Sequence, residues 1–222
     1  MFSRIQVTTL LLAVTVLAAG TGRLGAQSPT RHGRLFPPQD LGLLEGPDRE
    51  LWQMPAQIMD ALGIAEGSVV ADLGAGGGWF TIRLARRVGP NGAVFAEDIQ
   101  RLMLEATRRR LSREGLLNVQ PVLGTSLDPR LPARAIDAVL VVDTYHEIDD
   151  PVPLLRNLSK SLKPQGRVGV VDFRKDGWGP GPPLEERVDQ DVIVRDAEAA
   201  GLKLARRETF LPYQFFLIFV RR

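Results

Sequence analysis

Apolar residues recur along this chain with two alternating periods. Leu51, Trp52, Met54, Ile58, Met59 and Leu62 form one helical stripe, closed by Gly63. Pro55 falls in its first turn, where a missing N–H costs little. Beyond it, short apolar runs alternate with amphipathic stretches. Val69–Ala71, Ala93–Ala96, Val119–Leu123, Ile136–Val142 and Val168–Phe173 read as strands. Thr81–Val88, Gln100–Glu114, Pro151–Leu162 and Asp189–Ala200 read as the helices between them. Gly89-Pro90-Asn91-Gly92, Gly115, Lys163-Pro164 and Gly201 supply the stops, and Gly177–Pro183 reads as a loop. Pro121 marks its strand as an edge. Leu202–Thr209 and Gln214–Val220 read as a final antiparallel pair. Strands alternating with helices predict an α/β domain whose mostly parallel sheet is covered on both faces.

The N-terminal quarter breaks this rhythm. Residues 27–47 hold Pro29, Pro37, Pro38 and Pro47 with no sustained period, which reads as a linker or arm before a domain over residues 48–222. Ahead of it, Arg4 precedes an apolar run from Leu10 to Ala19, then small residues ending at Ala26. That order is the order of a secretory signal peptide, residues 1–26, and implies export to the periplasm or exterior. Cleavage after Gly20, an uncleaved anchor or a start codon upstream of a cytosolic protein are the alternatives. The run is too short to span a bilayer comfortably, so cleavage leaves no stable membrane span.

Composition narrows the chemistry. The chain has 222 residues, 44% hydrophobic and 24% charged, as a soluble globular protein does. Its net charge is +2, and losing residues 1–26 removes Arg4 and Arg23 and no acid, leaving zero. A neutral chain has no field to hold nucleic acid, so Arg108-Arg109-Arg110 with Arg113 reads as a solvated helix face. Without a single cysteine, disulfides, thiolate metal sites and cysteine nucleophiles are excluded.

The informative segment is Ser68 to Asp98. Asp72, Gly74, Ala75, Gly76 and Gly78 follow a buried strand and open a helix. Glycines there let the backbone approach a ligand, and the free N–H groups of the helix start meet polar groups. Asp98, at the end of the next strand, is placed to accept hydrogen bonds from ribose hydroxyls. Glu97 competes for that role, although strand alternation turns it to the opposite face. A dinucleotide loop requires G-x-G-x-x-G, but the sixth position from Gly74 is Trp79. The spacing present is D-x-G-x-G-x-G, and its leading acid suits the ammonium of S-adenosylmethionine, which has no pyrophosphate.

On these motifs the chain, from about Leu51 to its end, resembles the class I S-adenosylmethionine-dependent methyltransferases. The resemblance implies a Rossmann-like, doubly wound sheet of seven strands in the order 3-2-1-4-5-7-6, the seventh antiparallel. It implies that Asp72–Gly78 hold the methionine part of the cofactor, that Asp98 holds the ribose, and that Ile99 lies near the adenine. The family often places an acid after the third strand to meet the adenine amine. Here that stretch is Gly124-Thr125-Ser126, leaving Thr125 or Ser126 as partners.

The fourth strand ends in Asp143-Thr144-Tyr145-His146-Glu147. In the resembled family this end faces the transferable methyl group. That makes Asp143 and His146 the candidate catalytic residues. His146, the sole histidine besides His32 of the arm, either removes a proton from the acceptor or merely packs the loop. Asp143 and Asp172 end neighbouring strands, but two acids are few ligands for a hard cation, and Phe173 follows where metal-dependent relatives use an amide. No metal is assigned. Trp52 and Gln53 either line the site or pack in the core, and Tyr213, Phe215 and Phe216 read as core. The expected function is methyl transfer to a small-molecule acceptor. The alternatives are an exported binding protein that keeps the fold and an NAD-type oxidoreductase.

Overall fold

The computed structural model describes residues 34–176 and 179–222. The expected signal peptide, His32 and Gly177 lie outside the described residues. The central strand shows why this sequence makes a parallel sheet. In β4 (Ile136–Val142), Ile136, Val139 and Val141 join one apolar cluster while Ala138, Leu140 and Val142 join another. Both faces are therefore buried, and the strand reads as a continuous apolar run.

Around it the sheet has the order β3-β2-β1-β4-β5-β7-β6. Its members are β1 (Val69–Leu73), β2 (Ala93–Asp98), β3 (Val119–Leu123), β5 (Leu162–Phe173), β6 (Leu202–Glu208) and β7 (Gln214–Arg221). Only β7 runs antiparallel to its neighbours β5 and β6; the other pairings are parallel. This is the expected seven-stranded order, with Pro121 on edge strand β3 as its missing donor requires.

Among the described residues six α-helices accompany the strands: α1 (Arg49–Gln53), α2 (Pro55–Leu62), α3 (Trp79–Val88), α4 (Arg101–Glu114), α5 (Pro151–Ser161) and α6 (Gln190–Ala199). Ile58, Met59 and Leu62 of α2 and Phe80, Leu84 and Val88 of α3 cover one face. Leu154, Leu155 and Leu158 of α5 with Ile193 and Ala197 of α6 cover the other. Gly63 and Gly115 close α2 and α4 in the left-handed conformation, where glycine has no Cβ to clash.

Two expectations at element ends change. The stripe from Leu51 to Leu62 is not one helix. Met54 adopts φ 47°, ψ 54° between α1 and α2, because Pro55 disfavours the α region for the residue before it. The break leaves Leu51 76% exposed and turns Arg49 and Gln53 inward. Strand β5 begins six residues earlier than the apolar run Val168–Phe173 indicates. Leu162 already pairs with Ile136, and a register shift between Ile136 and Ala138 absorbs the intervening residues.

Candidate active site

The carboxyl ends of β1, β2 and β4 meet where the strand order reverses, which is where open α/β sheets bind ligands. Asp72, 2% exposed, accepts a 2.6 Å hydrogen bond from the Thr81 hydroxyl. Gly74 follows at φ 75°, and a Cβ there would lie 2.3 Å from Thr144 Cγ2, so glycine is required twice over. The Gly74 and Ala75 N–H groups donate to the Glu97 carbonyl at 2.9 and 2.8 Å, tying the loop to β2. Gly76 N–H donates to Asp98 Oδ2 at 2.9 Å and Gln100 N–H to Oδ1 at 2.8 Å. Asp98 therefore shapes the loop and keeps one lone pair on each oxygen for a ligand. Gly78, left-handed at φ 82°, caps α3.

These groups border a cavity of about 320 Å³, which is within the range of small-molecule sites. Asp72, Gly74, Ala75, Gly76, Asp98, Ile99, Thr125, Ser126 and Asp143 all line it. Gly78 and His146 do not. The Thr125 hydroxyl is turned into its own loop, where it accepts from Asp128 N–H at 3.0 Å and donates to Asp128 O at 3.2 Å.

The segment read as an arm supplies one wall. Pro38–Leu44 forms a 3-10 helix, and Leu35, Phe36, Leu41 and Leu44 face the cavity. Phe36 N–H donates to Glu147 Oε2 at 3.2 Å, Gln100 Nε2 donates to Phe36 O at 3.0 Å, and Arg110 pairs with Glu45. The arginine run thus divides: Arg108 and Arg109 are exposed, while Arg110 fastens this wall.

Asp143 sits at φ 53° just past β4. Its carboxylate pairs with Arg49 Nη2 at 3.0 Å and accepts from Gln214 Nε2. Gln53 joins the network, accepting from Arg49 Nε at 2.6 Å and donating to Gln214 Oε1 at 2.8 Å. Gln53 is thus a buried brace, and Trp52 packs on Phe173 and Tyr213 with ring centroids 6.1 Å apart. Phe215 and Phe216 are buried, but Tyr213, expected in the core, is only half-buried.

His146 points away from the cavity. Its Nδ1 lies 3.0 Å from Asp172 Oδ1, and its backbone N–H donates to Asp172 Oδ2 at 3.1 Å. Asp172 is thereby engaged apart from Asp143. The neighbour that does line the cavity is Glu147. His146 Nε2 is 4.0 Å from its Oε1.

Electrostatics set the character of the site. Apart from Arg49, every ionisable side chain lining the cavity among the described residues is an acid. Burial pushes Asp72 and Asp143 up to about 6, with Thr81 opposing the shift at Asp72 and Arg49 opposing it at Asp143. Burial raises Glu147 to about 7 and, with the charge of Asp98, Glu97 to about 8. Asp98 is raised by burial against its backbone hydrogen bonds. For His146, burial alone would lower the imidazole, but the Asp172 hydrogen bond and the charges of Asp172 and Glu147 carry it to about 9. A cavity of this kind favours a cation and opposes a pyrophosphate.

Sequence reasoning missed Arg49, Glu147 and the Leu35–Leu44 wall. The cluster of Leu35, Phe36, Leu41 and Leu44 within a proline-rich tract was the available signal for the wall.

The comparisons with known proteins agree with this geometry. Residues 70–166 match the family model described as "Methyltransferase domain". The ubiquinone/menaquinone biosynthesis C-methyltransferase UbiE of Pasteurella multocida is 34% identical over 118 residues, 53% of this chain and 44% of that protein. The protein of the same name from Proteus mirabilis is 30% identical over 64% of this chain and 59% of its own length. The chain spans about half the length of the curated relatives it matches. A solved SAM-dependent methyltransferase from Aquifex aeolicus superposes with a TM-score of 0.79 at 28% identity, covering 83% of this chain and 98% of that one. The fold is thus the Rossmann-like one of that solved methyltransferase, and residues 70–166 are similar to a methyltransferase domain.

Proposed function

We propose that the protein catalyses S-adenosylmethionine-dependent methyl transfer to a small-molecule acceptor. The observation that carries this reading is the joining of the Asp72–Gly78 loop to a cavity rimmed by buried acids. Its cradle admits no Cβ at Gly74, and its charge suits a ligand bearing a sulfonium and an ammonium. Asp72 and the loop hold the amino-acid end, Asp98 the ribose hydroxyls, and Ile99 the purine face. When bound, the cofactor would supply an electrophilic methyl group that passes to the acceptor, with S-adenosylhomocysteine as the leaving group. The chain's share is orientation, which supplies up to about 7–11 kcal/mol in favourable cases. Leu35, Phe36, Leu41 and Leu44 exclude water and offer an apolar surface to the acceptor. Support for a small acceptor comes from the relatives, whose names place them in quinone biosynthesis.

Where the acceptor starts protonated, Glu147 is the group placed to take the proton, since it lines the cavity and is raised to about 7. His146 supports it from behind as a cation and has the role of a positioning residue. Residues 1–26 act, in this proposal, as a signal peptide, which N-terminal sequencing of the mature protein tests.

Calorimetric titration with S-adenosylmethionine, S-adenosylhomocysteine and NAD tests the function. Binding of the two sulfur compounds without NAD binding is expected, and Asp98→Ala is expected to weaken it about 10- to 100-fold. NAD binding with no response to the sulfur compounds would overturn the reading.

A further inference from the structure

We infer that Glu97 recognises the adenine ring of the cofactor through its carboxyl group, an inference that rests on the proposed S-adenosylmethionine site. Glu97 is next to last in β2, only 3% exposed, and lines the cavity. Among the described residues its Oε1 is the buried side-chain polar atom with no hydrogen-bond partner. Buried polar groups in folded proteins are paired in the great majority, so an orphan lining a ligand cavity marks a partner that arrives with the ligand.

The neighbouring groups leave this task to Glu97. Asp98 is held by the N–H groups of Gly76 and Gln100, and its remaining lone pairs go to the ribose hydroxyls. Of the two sequence-based candidates for the adenine, Thr125 spends its hydroxyl on Asp128, and Ser126 sits exposed at the cavity edge, whereas Glu97 is buried. Gly124 is cut back to fit the acid, since a Cβ there would stand 1.8 Å from Glu97 Oε1. Ile99, 38% exposed, offers a flat apolar contact next to it.

The protonation state matches the ligand. Burial first, then the charges of Asp98 on the same strand, Asp72 on β1 and Asp128 beyond β3, raises Glu97 to about 8. Near neutrality it is a carboxylic acid, with one donor and one acceptor side by side. The adenine edge carries the complementary pair, a ring nitrogen that accepts and an amine that donates. A carboxylate would offer acceptors alone.

Calorimetry with S-adenosylhomocysteine, and with its analogue lacking the purine 6-amino group, tests the assignment on the whole chain and two variants. Glu97→Met, similar in volume and apolar, is expected to bind S-adenosylhomocysteine about 10-fold or more weakly and to lose its preference for the amino compound. Glu97→Gln keeps a donor and an acceptor and is expected to stay within about threefold of the unaltered protein. Binding is expected to weaken above about pH 8 in the unaltered protein and not in Glu97→Gln. The ligand-free Glu97→Met protein, freed of the orphan, is expected to melt about 2–4 °C higher, which separates lost recognition from lost folding. Unaltered affinity and preference in Glu97→Met would overturn the inference and leave the cofactor assignment standing. Failure of the unaltered protein to bind S-adenosylhomocysteine would remove both.

Discussion

His146 owes its charge to the direction in which its ring is turned. Facing Asp172 instead of the cavity, the imidazole is held at about 9, well above its ordinary value. The folded-state value is raised, so the stability this pair contributes is fully present below about pH 6.5 and is lost as pH rises through about 9. Urea unfolding between about pH 6 and 10 is expected to show that decline. His146→Gln is expected to flatten its upper part, above about pH 8, and an equally steep decline there in the variant would assign the slope to other groups. The sequence placed His146 at the right strand end, because position along β4 follows from the apolar run. It left open which way the ring faces, because that depends on Asp172, 26 residues away. The same limit applies to Glu97. Strand alternation assigned it to the face opposite Asp98, but at the strand's last residues both side chains line the cavity.

At the scale of elements, periodic segments were legible and borrowed ones were not. The strands and helices from Val69 onward were read within a residue or two, β5 excepted, because each carries its own apolar face. The break at Met54 was hidden because the helical spacing of apolar residues continues through it, while Pro55 acts on backbone angles. The segment before Asp48 holds its shape through distant partners, such as the contact of Phe36 with Glu147 across 111 positions. No local pattern records such a contact. Its apolar side chains wall the cavity but contribute little to the two main clusters. A chain begun at Gly46 is therefore expected to melt within a few degrees of the full protein and to bind S-adenosylhomocysteine about 10-fold more weakly. Calorimetry beside a melting curve distinguishes these effects. Unchanged affinity would show that the wall does not touch the cofactor.

Across the whole molecule, the seven-stranded order was legible from the alternation of strands and helices and the resemblance it supported, and it fixes where loop ends gather. What it gathers is a set of carboxyls that repel one another. Asp72, Asp143, Glu147 and Glu97 bind protons more tightly folded than unfolded, so their contribution to stability is present below about pH 4 and declines as pH rises through 6 to 8. The cavity is in this sense a store of protons that the fold holds at a cost and a cationic ligand displaces. Binding of S-adenosylmethionine is expected to release protons from Asp72, Asp143 and Glu147, while Glu97 keeps its own for the adenine, seen as a dependence of the calorimetric heat on buffer ionisation enthalpy near about pH 6.5. The gain in melting temperature with saturating ligand is correspondingly expected to be larger at about pH 7 than at about pH 5. Equal shifts at both would mean that these acids do not respond to the ligand's charge. On this view an empty molecule near neutral pH lives with an internal strain of like charges, and the ligand that relieves it is also the one the reaction consumes. Turnover would then leave the protein, for as long as its site stands vacant, at its least stable.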